Sequence, residues 1–500
     1  MAHRMPRRGF ALVSGIVMAL LLGACDFSAP ATPATPPPTA AETPAANGES
    51  PGATPDADGE SRQLVLWLPE FFNPAQDTNA GAVLEGAFFQ FEQNHPGLSL
   101  DVQIKPAYGQ TGTLNYLRAA QRVAPTILPD LVLVHSSQLW QIVDLGIIPA
   151  LEAHEQPAAD LYFPFSLAAA TYRGQIYGFP YAANILHGVM RDPDFAIPGA
   201  EPAAESAAES RGDSSGDSSD ASSELNGEST AESATALPLS TPAGTPAADV
   251  TPPAEASATD IARNLPATWD DLLASELVYA FPAGAIEGSR LDSAVMHYLA
   301  AGGTLVEDGA AVADADALET YFEFLVLARR NNLASSELIG YADYESLWNA
   351  FSRGTGDLAL MSAQNLLLDP ESMRYIFLPV PTAQGEAASI GNVWAFAVLT
   401  RDENRRTLAL KLINSLLDPE IQGAWSQASL RVPTQPGALE RWGGQSDYID
   451  FLQAQMNNAQ AVPAGRPFAD FARRLHTAQA GLLQNELTVD EAILSVRATE

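Results

Sequence analysis

An α/β fold with mostly parallel, helix-flanked sheets is predicted by three features of the sequence. Buried-strand patterns alternate with helical patterns between residues 63 and 145, an order that builds parallel sheets covered on both faces. Amphipathic helical patterns recur at 315–331, 403–417 and 467–485. With the low-complexity stretches set aside, roughly 380 of the 500 residues have globular composition, which fits about two domains.

In chain order, residues 63–68 (QLVLWL) come first, an apolar run bounded by Pro69 that reads as a buried strand. Residues 81–94 carry apolar side chains at 83, 84, 87, 88 and 91, a helical spacing that Pro96-Gly97 stops. Residues 98–104 alternate like a strand, 113–123 suit a helix, 130–134 (DLVLV) a short buried strand, and 138–145 a helix ending near Gly146. Ligands of such sheets bind beyond the carboxyl ends of strands, which here lie near Pro69–Asn73, Lys105–Tyr108 and His135–Gln138. Further on, 315–331 has apolar residues at 318, 321, 322, 325 and 328. Helices at 467–485 and 488–497 close the chain, the last opened by Thr488 and early acids.

The remaining segments are of other kinds. Arg4, Arg7 and Arg8 precede the apolar run Gly9 to Leu22, the pattern of a secretory signal over residues 1–25. It ends in Leu22-Gly23-Ala24-Cys25, which resembles the bacterial lipobox, and Cys25 is the only cysteine of the chain. Lipidation of Cys25 and anchoring at the outer face of a bacterial cytoplasmic membrane are the expectation. Residues 26–61 are Pro- and Ala-rich, a tether with a reach of roughly 30 Å. Residues 199–260 hold twelve Asp or Glu, one Arg and no periodicity, and read as a disordered acidic insertion.

Composition excludes several functions. A net charge of −34, with only two lysines, Lys105 and Lys411, argues against a nucleic-acid partner. One cysteine leaves neither a disulfide scaffold nor a cysteine-based zinc site. No two of the seven histidines stand three to five residues apart, so no helical His pair or other metal motif is expected, and no phosphate-binding glycine loop is present. Gly212-Asp213-Ser214-Ser215-Gly216 matches a nucleophile elbow in letters alone, because it lacks the strand before it and the helix after it. No cofactor is expected. An exported glycosidase is the enzyme alternative, since paired-carboxylate chemistry depends on a separation in space.

Several segments carry a resemblance. Phe91-Glu92-Gln93-Asn94-His95-Pro96-Gly97, Pro129 to Val134 running into Leu145-Gly146-Ile147-Ile148-Pro149, Tyr172 to Tyr181 (YRGQIYGFPY), Thr268-Trp269-Asp270-Asp271-Leu272, Phe351 to Met361 and Asp418-Pro419-Glu420 occur in this order. Together they resemble the extracellular solute-binding proteins of ABC importers, family 1, in the group that includes maltose- and sugar-binding members. The resemblance implies the two-lobe type II fold of periplasmic binding proteins, each lobe a mixed, mostly parallel sheet flanked by helices, with solute held in the cleft at a hinge. By analogy, residues 62–180 and 381–432 make one lobe, and 181–380 and 433–500 the other, with the acidic insertion inside the second. It further implies capture without catalysis, a monomer, a small solute (a sugar first), and an ABC permease as partner. A receptor that feeds a sensor, or a binder of polyamine or peptide, is the alternative.

The same analogy implies the cleft residues. Trp67 ends the first strand, as a ligand-facing aromatic or as core, and Glu70 and Phe71 stand just after it. Ser136 and Ser137 fall at the second cleft loop. Tyr181 and Asn184 lie at the first crossover, Gln364 and Asn365 after the GDLALM strand, Asn392 and Trp394 in a glycine-containing loop, and Arg431 at the last crossover. Departures are Leu366 and Ala472, where maltose-type members carry cleft aromatics, which weakens the match to a long oligosaccharide.

Overall fold

The computed structural model describes residues 62–192, 265–284, 292–307, 310–369, 372–444 and 446–498. The signal, Cys25, the tether, the acidic insertion and the 212–216 motif lie outside the described residues.

The strands are β1 (Arg62–Leu68), β2 (Leu98–Ile104), β3 (Leu131–His135), β4 (Thr171–Tyr172), β5 (Gln175–Ile176), β6 (Phe179–Arg191), β7 (Tyr279–Ala280), β8 (Val306–Glu307), β9 (Ala310–Ala311), β10 (Leu358–Ser362), β11 (Tyr375–Leu378), β12 (Ile390–Val398), β13 (Val432–Pro433) and β14 (Gln460–Ala461). The main sheet runs β2-β1-β3-β12-β6-β10-β7, with β11 and β13 also on β6 and β14 on β12. Parallel pairing joins β1 to β2 and β3. The helices Asn79–Asn94 and Thr113–Val123 make the crossovers between these strands, as the alternating pattern requires. β12 and β6 run antiparallel in the middle, which makes the sheet mixed.

β6 ties the two halves of the molecule together. Its residues 179–185 pair with β12, and its residues 186–191 pair with β10 and β11. A single thirteen-residue strand thus belongs to both halves. Within the stretch paired with β12 the register shifts at Trp394/Ala395, so that Ala182 faces Trp394 and Pro180 faces Ala395. Tyr181 is the extra residue of this irregularity, beside a proline that has no N–H to give to a ladder.

Alternation sorts the side chains onto two cores. Leu64, Leu66 and Leu68 point to one face and pack with Leu84, Phe88 and Phe91 of the first helix and Leu412, Ile413 and Leu416 of the helix Glu403–Leu416. Trp67 points to the other face, with Val132, Val134, Leu117 and Ile142. Helix starts are fixed by side-chain caps, the one at Thr488 being the cap that the sequence suggests. Thr78 accepts from the Gly81 N–H at 3.0 Å, and Thr268 with Asp271, and Thr488 with Glu491, form reciprocal capping boxes. Leu366 is buried and Ala472 is half-buried.

Candidate functional site

Three parallel strands end at one edge of the sheet, and the loops beyond their carboxyl ends build the site. After β1, Pro69 leads into a single turn of 3-10 helix, Glu70–Phe72. Phe72 is fully buried, its ring 5.2 Å from Tyr181, 5.5 Å from Phe396 and 4.9 Å from Trp425. That anchor fixes the turn and leaves Phe71 half-buried, edge-on to Trp394 at 4.8 Å. Trp394 also meets His135, at the end of β3, at 5.3 Å and Tyr108, after β2, at 5.9 Å. Edge-to-face packing of this kind contributes about 0.5–1.5 kcal/mol per pair beyond area burial.

Arg431 closes the group. Its guanidinium lies 3.7 Å from the Phe71 ring centre, a cation–π contact. Its Nη1 donates to Gln364 Oε1 at 3.1 Å, and the Gln364 N–H donates to Asn184 Oδ1 at 3.5 Å. Burial lowers the Arg431 pKa to about 10, opposed by the nearby Tyr108. The side chain therefore remains a cation at neutral pH.

The expected residues separate into those this group unites and those it does not. Phe71, Asn184, Gln364, Trp394 and Arg431 come together. Tyr181 is fully buried among Phe72, Phe396 and Trp425, and burial pushes its phenol well above the usual value; this is a packing position, not a surface open to solute. Trp67 points to the opposite face, where the Lys105 ammonium lies 5.0 Å from its ring and 5.2 Å from Tyr116. Glu70 is exposed. Asn365 accepts from Ser362 Oγ at 2.6 Å, which fixes the start of the helix Ala363–Leu368. Ser136 accepts from the Val393 N–H at 3.4 Å, and Ser137 Oγ lies 2.8 Å from His135 Nδ1. These two serines open the helix Ser136–Asp144, directly after His135.

Asn392 and Trp394, expected in a loop, instead belong to β12. Gly391 precedes them because a Cβ there would sit 2.3 Å from Phe165. Asn392 is buried and donates from Nδ2 to Asp292 Oδ2 at 2.7 Å, linking a strand of one half to a helix of the other. Sequence reasoning marks the strand ends that hold Tyr108 and His135 but names neither as a site residue, nor Asp292 as the partner of Asn392. The first two stand at strand carboxyl ends, a usable signal, whereas nothing local marks Asp292 as a partner of a residue one hundred positions away.

Two concavities lie elsewhere. One, of about 350 Å³, runs past Asp130, Gly146, Arg401 and Arg405. The other, of about 180 Å³, is lined by Leu366, Leu430, Trp442 and Tyr448. Among the described residues no His, Cys, Asp and Glu cluster could hold a metal ion, and no helix is long and apolar enough to cross a membrane.

No protein-family model and no curated protein matches the sequence. Solved structures do match in fold. The cyclic α-maltosyl-1,6-maltose binding protein from Arthrobacter globiformis is 16% identical with a TM-score of 0.60, over 87% of this chain and 96% of that one. Maltose-bound MalE3 of T. maritima is 14% identical with a TM-score of 0.58, over 87% and 97%. An ABC transporter solute binding protein from Thermotoga lettingae TMO, bound with α-D-tagatose, is 17% identical with a TM-score of 0.56, over 87% and 98%. The first and third are described as binding proteins, and the second holds maltose. The chain therefore has the two-lobe, maltose-binding-protein-like α/β fold.

Proposed function

We propose that this protein captures a small carbohydrate between its two lobes and delivers it to an ABC permease, without chemistry on the sugar. The observation that carries the reading is the group of Phe71, Trp394, Tyr108, Arg431 and Gln364 at the carboxyl edge of the sheet, in a fold whose solved neighbours bind maltose, maltosyl-maltose and tagatose. Aromatic faces suit the C–H surfaces of a sugar ring, and amide and guanidinium groups suit its hydroxyls. A few polar groups in a preformed cleft set specificity, because leaving one unpaired is costly. Capture works if the sugar favours the closed arrangement of the lobes over the open one. The lipobox-like Cys25 and the tether support a lipid-anchored component, a monomer at the outer face of the cytoplasmic membrane.

Thermal unfolding of the full chain against mono- and oligosaccharides, with polyamines and peptides as controls, tests the reading. A sugar at a thousandfold its Kd adds about 4 kcal/mol of stability. A shift with polyamine or peptide alone would overturn the carbohydrate assignment.

A further inference from the structure

We infer that the sugar this site selects carries a carboxylate, and that Arg431 is the residue that selects it. The inference rests on the carbohydrate reading above. The chain has 60 Asp and Glu against 26 Lys and Arg, so acids are in excess for every basic side chain. Other arginines of the same half use them. Arg406 pairs with Glu155, and Arg405 pairs with the buried Asp130 at 3.0 Å. Arg431 pairs with no carboxylate among the described residues. It instead lies over the Phe71 ring at 3.7 Å, with one arm on the neutral Gln364.

Glu70, one residue before Phe71, is exposed and forms no ion pair with a described residue. A partly desolvated cation without a counter-charge is unfavourable, and an anion that completes it recovers much of that cost. A guanidinium offers five donors in a planar fork that matches a carboxylate in two-point fashion. Here one arm is engaged by Gln364, and the Phe71 ring lies against the guanidinium. A single cation suits a singly charged carboxylate better than a phosphate carrying nearly two charges. The aromatic rings of Trp394 and Tyr108 in the same group place a sugar ring, rather than a bare anion, beside the charge.

Calorimetric titration of the full chain with glucuronic acid and glucose, and with trigalacturonic acid and maltotriose, at low and moderate salt, tests this. The acid should bind tighter than its neutral counterpart by about tenfold or more, the effect expected of a hydrogen-bonded charge. The preference should weaken with salt, vanish in Arg431→Gln and persist in part in Arg431→Lys, with thermal unfolding showing that both variants fold. Equal or tighter binding of the neutral sugars would overturn the inference and leave the carbohydrate reading standing. Preference for glucose 6-phosphate over glucuronic acid would overturn the carboxylate assignment. Binding of no sugar at all would overturn the carbohydrate reading and this inference together.

Discussion

Replacing Phe72 by alanine should cost about 4 kcal/mol of stability and release the turn that presents Phe71. Phe72 has no solvent exposure, and three aromatic rings lie within 5.5 Å of its own. Truncating a phenylalanine in such a setting removes its transfer free energy and leaves a cavity that rigid rings fill poorly, a combined loss of about 3–5 kcal/mol. With a urea m-value of about 3 kcal/mol/M, the unfolding midpoint should fall by about 1 M or more. Phe89→Ala is the matched control. Phe89 is 62% exposed on the helix Asn79–Asn94, and its truncation should stay within about 0.5 kcal/mol. Urea unfolding followed by far-UV circular dichroism reads both. A Phe72→Ala loss no larger than that of Phe89→Ala would refute the idea that this residue locks the turn.

Two further outcomes concern charge and acid. Burial lowers the pKa of both His187 and His297 to about 4, so in the folded state each stays neutral where the unfolded chain takes a proton. The native state then loses stability as pH falls below about 6.5, by about 2 kcal/mol per histidine at pH 5, with further loss down to pH 4. Equal urea midpoints at pH 7 and pH 5 would contradict this. Glu155 is held below the usual carboxylate range by its two-point contact with Arg406, whose Nε and Nη2 lie 2.6 and 2.5 Å from the carboxylate oxygens. Its contribution is present above the ordinary glutamate pKa and lost as pH falls through the lowered one. Arg406→Met strands a nearly covered carboxylate and should cost about 3 kcal/mol. A change under about 1 kcal/mol in urea unfolding would place the pair among exposed ones.

Much of the scaffold is legible in the sequence because it rests on local signals. Strands β1 to β3 and the helices between them are written in apolar runs, alternation and spacing. The irregularities are not legible. Tyr181 is buried because the β6–β12 register shifts beside Pro180, which no periodicity announces. Asn365 is engaged with Ser362 at a helix start, a local contact that competes with a cleft role. Trp67 shows the limit of a period-two argument: the alternation places it opposite Leu66 and Leu68, but only the fold shows that Lys105 covers its ring. Tyr108 and His135 stand at the strand carboxyl ends that topology marks as ligand-facing. Hydroxyls suit sugars, which favours the neighbouring serines on chemistry alone, whereas the structure uses those serines around His135 and β12.

The most direct test of a carbohydrate bound at the Phe71–Trp394 group is tryptophan fluorescence during titration with maltotriose and trigalacturonic acid. A saccharide at this group alters the surroundings of Trp394, so the emission should change and saturate in the full chain and in Trp140→Phe. It should lose that response in Trp394→Phe. An emission change that persists undiminished in Trp394→Phe, with the same midpoint, would place the sugar elsewhere and contradict binding at this group.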